Sequence, residues 1–177
     1  MRNNSLPNHK PLFQAGLGKG GAAGPALEAL RSLELIKCGL RAVPATALPA
    51  LTHLHLPDNR ISGVVDFADA ALPHLEDLDL EGNAIAEIHG LEACPKLCSV
   101  NVAWNRLGTL AAFANLPRLQ RLNAARNRIE AVPAAQDLRG LARVEELILA
   151  GNAVATRAAG DVLRALPNAT LEDALYQ

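Results

Sequence analysis

Aromatic residues are nearly missing from this chain: of 177 residues only 3% are Phe, Trp or Tyr, and there is a single Trp. A core with so few rings has to be layered from thin aliphatic side chains. Charge imbalance is missing as well. Lys and Arg number 17 against 18 Asp and Glu, a net charge of −1. No overall field then favours nucleic acid or an anionic membrane, and no polybasic run or acidic tail adds one. No apolar stretch approaches the roughly 20 residues of a membrane span. Residues 1–15 hold Asn, Pro, His and Lys but no apolar h-region of a secretory signal. Cys38, Cys94 and Cys98 are odd in number and lack flanking cysteine clusters. A reduced, intracellular compartment, nuclear and/or cytoplasmic, is therefore expected.

Two motif matches lead nowhere. Gly16-Leu17-Gly18-Lys19-Gly20-Gly21 has the form G-x-G-x-x-G. Phosphate binding by that motif needs a strand before it and a helix N-terminus after it. Here Pro7 and Pro11 precede it and Pro25 follows. Lys19 is followed by Gly20, so the Walker pattern fails too. The segment 1–25 reads as a flexible or capping segment, with Lys10 to Ala15 a candidate irregular edge strand. Asn3-Asn4-Ser5 and Asn168-Ala169-Thr170 match the glycosylation pattern by chance frequency alone.

What is abundant is aliphatic: half of the chain is hydrophobic, with charged residues at 20%. That content suffices for a continuous core, and its arrangement is periodic. The copies are LRSLELIKCGL (30–40), LTHLHLPDNRI (51–61), LEDLDLEGNAI (75–85), LCSVNVAWNRL (97–107), LQRLNAARNRI (119–129) and VEELILAGNAV (144–154). Their ninth position holds Cys38, Asn59, Asn83, Asn105, Asn127 and Asn152, spaced by 21, 24, 22, 22 and 25 residues. L-x-x-L-x-L-x-x-N/C-x-L at this period is the signature of a leucine-rich repeat.

Each slot has a physical reason. Positions four and six are apolar and alternate with polar neighbours, the period of a strand with one buried face. Parallel stacking of such strands lines the apolar residues into columns. The ladder Asn lies where the chain leaves the strand, and its amide can satisfy backbone groups otherwise buried unpaired. Cys38 substitutes for it at the first rung, a structural reading. The return segments Leu48-Pro49-Ala50-Leu51, Leu72-Pro73-His74-Leu75 and Leu116-Pro117-Arg118-Leu119 set a Pro just ahead of the next copy, and Cys94-Pro95-Lys96-Leu97 repeats the device. Pro there is expected to end a helical turn. Cys94 and Cys98 then occupy core and flank positions; their C-x-x-x-C spacing is not a metal or redox motif. After Asn152, Arg157 to Leu166 reads as a short amphipathic helix, stopped at Pro167, which would cap the last repeat.

The predicted fold is an α/β solenoid: a leucine-rich repeat horseshoe with a parallel concave β-sheet, about six repeats, a helical or 3-10 convex side and a C-terminal capping helix. The predicted divisions are a capping or flexible segment (1–25), the repeats (26–154) and a C-terminal cap (155–177).

Over about residues 26–173 the sequence resembles the intracellular class of roughly 22-residue repeats. That class includes the phosphatase-1 regulatory leucine-rich subunit, the spliceosomal A-prime protein and the leucine-rich outer-arm dynein light chain. The order and spacing of LELIKCGLRAV (33–43), LTHLHLPDNRISG (51–63) and LPHLEDLDLEGNAI (72–85) resemble the acidic leucine-rich nuclear phosphoproteins. That resemblance implies a histone-binding and phosphatase-inhibiting adaptor, with much of the histone chemistry in a long acidic tail. Residues 1–177 hold no such tail, so the implication is confined to binding by the repeats. The other likenesses imply a ribonucleoprotein component that holds an RNA-binding protein, or a phosphatase regulatory subunit.

Outward-facing strand positions carry the candidate site. Position three gives Ser32, His53, Asp77, Ser99, Arg121 and Glu146; position five gives Glu34, His55, Asp79, Asn101, Asn123 and Ile148. Positions seven and eight add Pro57, Asp58, Glu81, Ala103, Trp104, Ala125 and Arg126. All are expected to point away from the core. Asp77, Asp79 and Glu81 form an acidic stripe with His53 and His55 beside it. Alternate strand residues sit about 6.5–7 Å apart, wide for ligands of one zinc, so the stripe is read as a face for a basic partner segment. No metal or other cofactor is expected. Trp104 is either an interface anchor, with Arg126 stacked on it, or rim packing. No nucleophile, base and orienting group share a sequence context, so catalysis is not expected. The expected partner-binding residues are His53, His55, Asp58, Asp77, Asp79, Glu81, Asn101, Trp104, Arg121, Asn123 and Arg126. The expected state is a monomer binding a protein partner, possibly through a basic segment, with no direct nucleic-acid or membrane contact.

Overall fold

The computed structural model describes residues 28–44, 47–130, 141, 144–154 and 169–170. The segment 1–25 with its glycine cluster and the helix expected over residues 157–166 lie outside these. Each copy of the repeat places three residues in a strand: β1 (Ser32–Glu34), β2 (His53–His55), β4 (Asp77–Asp79), β6 (Ser99–Asn101), β7 (Arg121–Asn123) and β8 (Glu146–Ile148). These strands and β9 (Ala169–Thr170) form one parallel sheet in the order β1-β2-β4-β6-β7-β8-β9. β9 adds a rung beyond the six copies visible in the sequence.

The register is in step from rung to rung. Ser32, His53, Asp77, Ser99, Arg121 and Glu146 pair in one row, Glu34, His55, Asp79, Asn101, Asn123 and Ile148 in another. Between these rows run Leu54, Leu78, Val100, Leu122 and Leu147, each at most 2% exposed. This is the period-2 alternation made visible: one residue in, its two neighbours out. Leu56, Leu80, Val102, Ala124 and Leu149 are fully buried beneath the next turn. Phe67 and Phe113 fill the two largest positions of the interior.

The asparagine ladder satisfies the turns that leave the sheet. Asn105 Nδ2 donates to Leu80, Val102 and Ala103 carbonyls at 2.9–3.2 Å, and its Oδ1 accepts from Ile85 N–H at 3.0 Å. Asn59, Asn83, Asn127 and Asn152 bridge neighbouring turns in the same way. Cys38 makes a poorer rung. Its Sγ reaches only Ile36 O within its own turn, and the residue is exposed.

Two features depart from the expected convex side. Alongside 3-10 turns at Leu91–Ala93 and Ala111–Phe113, a second parallel sheet joins β3 (Ser62–Asp66) and β5 (Ala84–His89). Its register shifts at Gly63/Val64, and Val65, Ile85, Ile88 and Phe67 fasten it to the core. The apolar run that buries these residues reads as return segment in sequence because it does not recur in the later copies. The prolines also act differently from expectation. Leu51, Leu75, Leu97 and Leu119 N–H groups bond back to Leu48, Leu72, Cys94 and Leu116 carbonyls. Pro49, Pro73, Pro95 and Pro117 are therefore second residues of β-turns, where a fixed φ suits the turn. Cys94, 1% exposed, takes the leucine slot there, and burial pushes its thiol up to about 11. Among the described residues no helix is long and apolar enough to cross a membrane.

Candidate functional site

The predicted residues come together as two neighbouring surfaces. Rows three and five form the concave face, and position eight forms a rim where the chain turns off each strand. The face is more committed to its own framework than the sequence suggests. Asp79, Asn101 and Asn123 each accept a hydrogen bond from the backbone N–H two residues on, at Glu81, Ala103 and Ala125. These are Asx turns that hold the exit from the strand. At the second rung the slot holds His55, and the residue two further is Pro57, which has no N–H to satisfy. His55 is thereby released, and its Nε2 lies 3.1 Å from Asp77 Oδ2 on the next strand. His53 sits edge-on to His55, with ring centroids 6.2 Å apart, and its Nδ1 is 2.8 Å from Thr52 Oγ1.

Asp79 stands in the middle of the acidic stripe. Its carboxyl is raised above the usual range, first by burial and further by Glu81 and Asp77. The Glu81 N–H and His55 act the other way. Glu81 is itself engaged, accepting from Asn101 Nδ2 at 2.8 Å. Among the described residues no three His, Cys, Asp or Glu side chains converge as ligands for a metal ion.

The rim has a property that the sequence does not announce. Position eight is left-handed at every copy of the repeat: Lys37, Asp58, Trp104 and Arg126 have φ of 54–56°, and Gly82 and Gly151 have φ of 66° and 71°. The cause is in the backbone. Five of the six position-eight N–H groups bond to the position-seven carbonyl of the next turn: Lys37 to Pro57, Asp58 to Glu81, Gly82 to Ala103, Trp104 to Ala125, Arg126 to Ala150. Glycine meets this demand without strain, whereas an L-residue there costs roughly 1–2 kcal/mol. The side chains that do occupy the row lean toward the following rung. A Cβ on Gly82 would lie 2.5 Å from Asp58 Oδ1, and one on Gly151 would lie 2.9 Å from Arg126 Cγ. Lys37 Nζ pairs with Asp58 Oδ2 at 3.6 Å on the exposed surface.

Trp104 is the outlier of this row. It is 49% exposed, and the Arg126 guanidinium carbon stands 4.4 Å from its ring centroid. The ring therefore packs on its neighbour and still shows half its surface to solvent. Ala103 was expected to face outward with it but is 3% exposed, because the turn tucks its small side chain under the rung. Lys37 belongs to the rim and was missed; two glycines at position eight, Gly82 and Gly151, were the available signal.

Towards the C-terminal rungs the concave face sinks into a hollow of about 230 Å³ lined by Ser99, Asn101, Arg121, Asn123, Glu146 and Ile148. A larger hollow, about 690 Å³, lies on the convex side between β5 and residues 107–116; none of the predicted residues line it.

Known proteins resemble this chain in part. The leucine rich repeat family profile matches residues 49–107. The human leucine-rich repeat-containing protein 56 is 36% identical over 106 residues, 56% of this chain and 19% of that protein. An adenylate cyclase of Schizosaccharomyces pombe is 44% identical over 61 residues, 34% of this chain and 4% of the cyclase. The chain thus spans less than a fifth of either curated relative, and the cyclase likeness is a partial match of repeats. Among solved structures, a leucine-rich repeat protein of Leptospira interrogans superposes with a TM-score of 0.66 at 22% identity, covering 86% of this chain and 40% of its own. An internalin of Listeria monocytogenes gives 0.62 at 20% identity, covering 79% and 42%. Sequence period, ladder and superposition agree: the chain is built of leucine-rich repeats, a framework that is typically non-enzymatic and serves in general as a scaffold for protein interaction.

Proposed function

We propose that this protein is a non-enzymatic adaptor that binds a protein partner across the concave face and the adjoining rim, with Trp104 and Arg126 as anchor. One observation carries this reading. At a position where the backbone favours glycine, the chain places its single tryptophan, half exposed. The slot does not require a ring, since Gly82 and Gly151 fill it without one, and the contact with Arg126 leaves half of the indole uncovered. Buried aromatic and Arg side chains are the enriched hot spots of interfaces. The acidic residues Asp77, Asp79 and Glu81 beside it suit a basic segment of the same partner, with His53 and His55 on its flank.

Affinity capture with wild type, Trp104→Gly and Asp79→Lys tests it, followed by direct binding of the captured protein. Trp104→Gly is expected to weaken that binding by about 2 kcal/mol or more while the melting curve stays in place. Capture of the same proteins in the same amounts by all three would rule out this face as the binding surface.

A further inference from the structure

The hollow on the C-terminal rungs holds hydrogen-bond donors that nothing in the described structure uses. Arg121 is exposed, and its side chain forms no ion pair or hydrogen bond among the described residues. Its neighbour in the row is Glu146, paired with it in strand register, yet the two side chains do not come within ion-pair distance. Asn123 spends its Oδ1 on the Ala125 N–H at 3.1 Å, which fixes the amide and turns its Nδ2 donor outward with no partner among the described residues. Ser99, in register beside Arg121, likewise has an unengaged hydroxyl. On the far side Asn101 Nδ2 is held by Glu81, so the unused donors are confined to the β6–β7 part of the hollow. Three donors of different kinds, one of them cationic, thus border a single depression of about 230 Å³.

We infer that this hollow seats a side-chain carboxylate, an Asp or Glu of the bound partner. Arg121 would take it as a charged fork, and Ser99 Oγ and Asn123 Nδ2 would complete its oxygen shell. Charge complementarity selects the occupant. The remainder of the face, Asp77, Asp79 and Glu81, is acidic and turns anions away; Arg121 is where an anion is accepted. Glu146 at the edge sets an upper bound on that charge. Arg121 pairs directly with a carboxylate while Glu146, lining the same hollow, repels it, and that repulsion is doubled for a phosphate dianion. The seat is three to five residues of chain from the Trp104–Arg126 rim, at most roughly 10–17 Å at strand rise. The partner segment therefore carries an acidic residue close to the apolar side chain that covers the indole. This inference rests on the adaptor reading and adds to it the chemistry that the C-terminal rungs recognise.

The test is selection from a random peptide library displayed with its C-terminus fused, so that side chains are the only source of carboxylate. Wild type, Trp104→Gly and Arg121→Gln serve as targets; Arg121 is exposed, and its variant should melt as wild type does. Peptides selected by wild type are expected to require one Asp or Glu. Replacing that residue by its amide, or Arg121 by Gln, should each weaken binding about tenfold or more, and the two changes together should cost little beyond either alone. Peptides that need Trp104 but are indifferent to Arg121 and to their own acids would overturn the seat and leave the adaptor reading standing. Tighter binding of a phosphoserine peptide than of its glutamate counterpart would overturn the carboxylate assignment. If no selected peptide depends on Trp104, the adaptor reading falls and the seat falls with it.

Discussion

The left-handed rim makes an inverted prediction about Trp104. At an ordinary surface position Gly is less stable than Ala by about 0.5–1 kcal/mol, because glycine has more chain entropy to lose. At Trp104 the order should reverse. Trp104→Ala loses the contact with Arg126, worth about 0.5–1 kcal/mol at an exposed site, and keeps the strain of an L-residue at φ 56°. Trp104→Gly loses the same contact but sheds roughly 1–2 kcal/mol of strain. Subtracting the glycine entropy leaves the Gly variant about 0.5–1 kcal/mol more stable than the Ala variant and close to wild type. Urea unfolding of the purified chain measures the difference directly; on the thermal scale it is a few degrees at most, since 1 kcal/mol shifts a domain of this size by about 2–4 °C. Arg106, exposed and not among the left-handed residues, is the control: there Ala should be at least as stable as Gly. If Trp104→Ala equals or exceeds Trp104→Gly, the rim is not held left-handed by the Trp104–Ala125 bond, and strain drops out of the case for a binding role.

Three further outcomes follow from the same geometry. Asn105→Ala should cost about 1–3 kcal/mol in chemical unfolding, the penalty for one buried group left unpaired, because it strands the Ile85 N–H, whereas the Leu80, Val102 and Ala103 carbonyls keep Asn83, Asn127 and Gly82 as donors; Cys38→Ser, at an exposed rung, should change little. Gly90→Ala should cost more than about 2 kcal/mol, since φ there is 74° and a Cβ would run into the Ala68 amide and Asp66 Oδ1; a neutral result would place that turn elsewhere. Asp79→Asn keeps the acceptor for the Glu81 N–H, as Asn101 and Asn123 show, and removes a charge that burial disfavours. Because the carboxyl is raised from 3.8, its protonated form supports the fold most below that value, and the support is lost as pH rises through the native pKa. The variant should therefore be the more stable at neutral pH, with its advantage shrinking as pH falls into the carboxylate range; a pH-independent difference in melting temperature would refute burial as the cause.

Much of this was legible before any coordinates. The rows of outward residues, Ser32 through Glu146 and Glu34 through Ile148, pair in the sheet as the repeat places them. That works because each copy poses the same local problem and solves it with the same residues. Legibility fails where a copy solves it differently. The β3–β5 sheet occurs only between Ser62 and His89, so no recurrence marks it. Pro57 and His55 replace an Asx turn at one rung, and only the hydrogen bonds of the other rungs reveal what was replaced.

By itself the sequence determined the period, the buried columns, the ladder and which face looks outward. Those follow from alternation and from backbone groups that must be satisfied, both of which are written residue by residue. Tertiary structure decided the handedness of the rim, the stacking of Arg126 on Trp104, the raised carboxyl of Asp79 and the idle donors around Arg121. Each depends on how far apart neighbouring turns lie and which groups they leave unbonded. Such distances arise only when one coil is laid on the next.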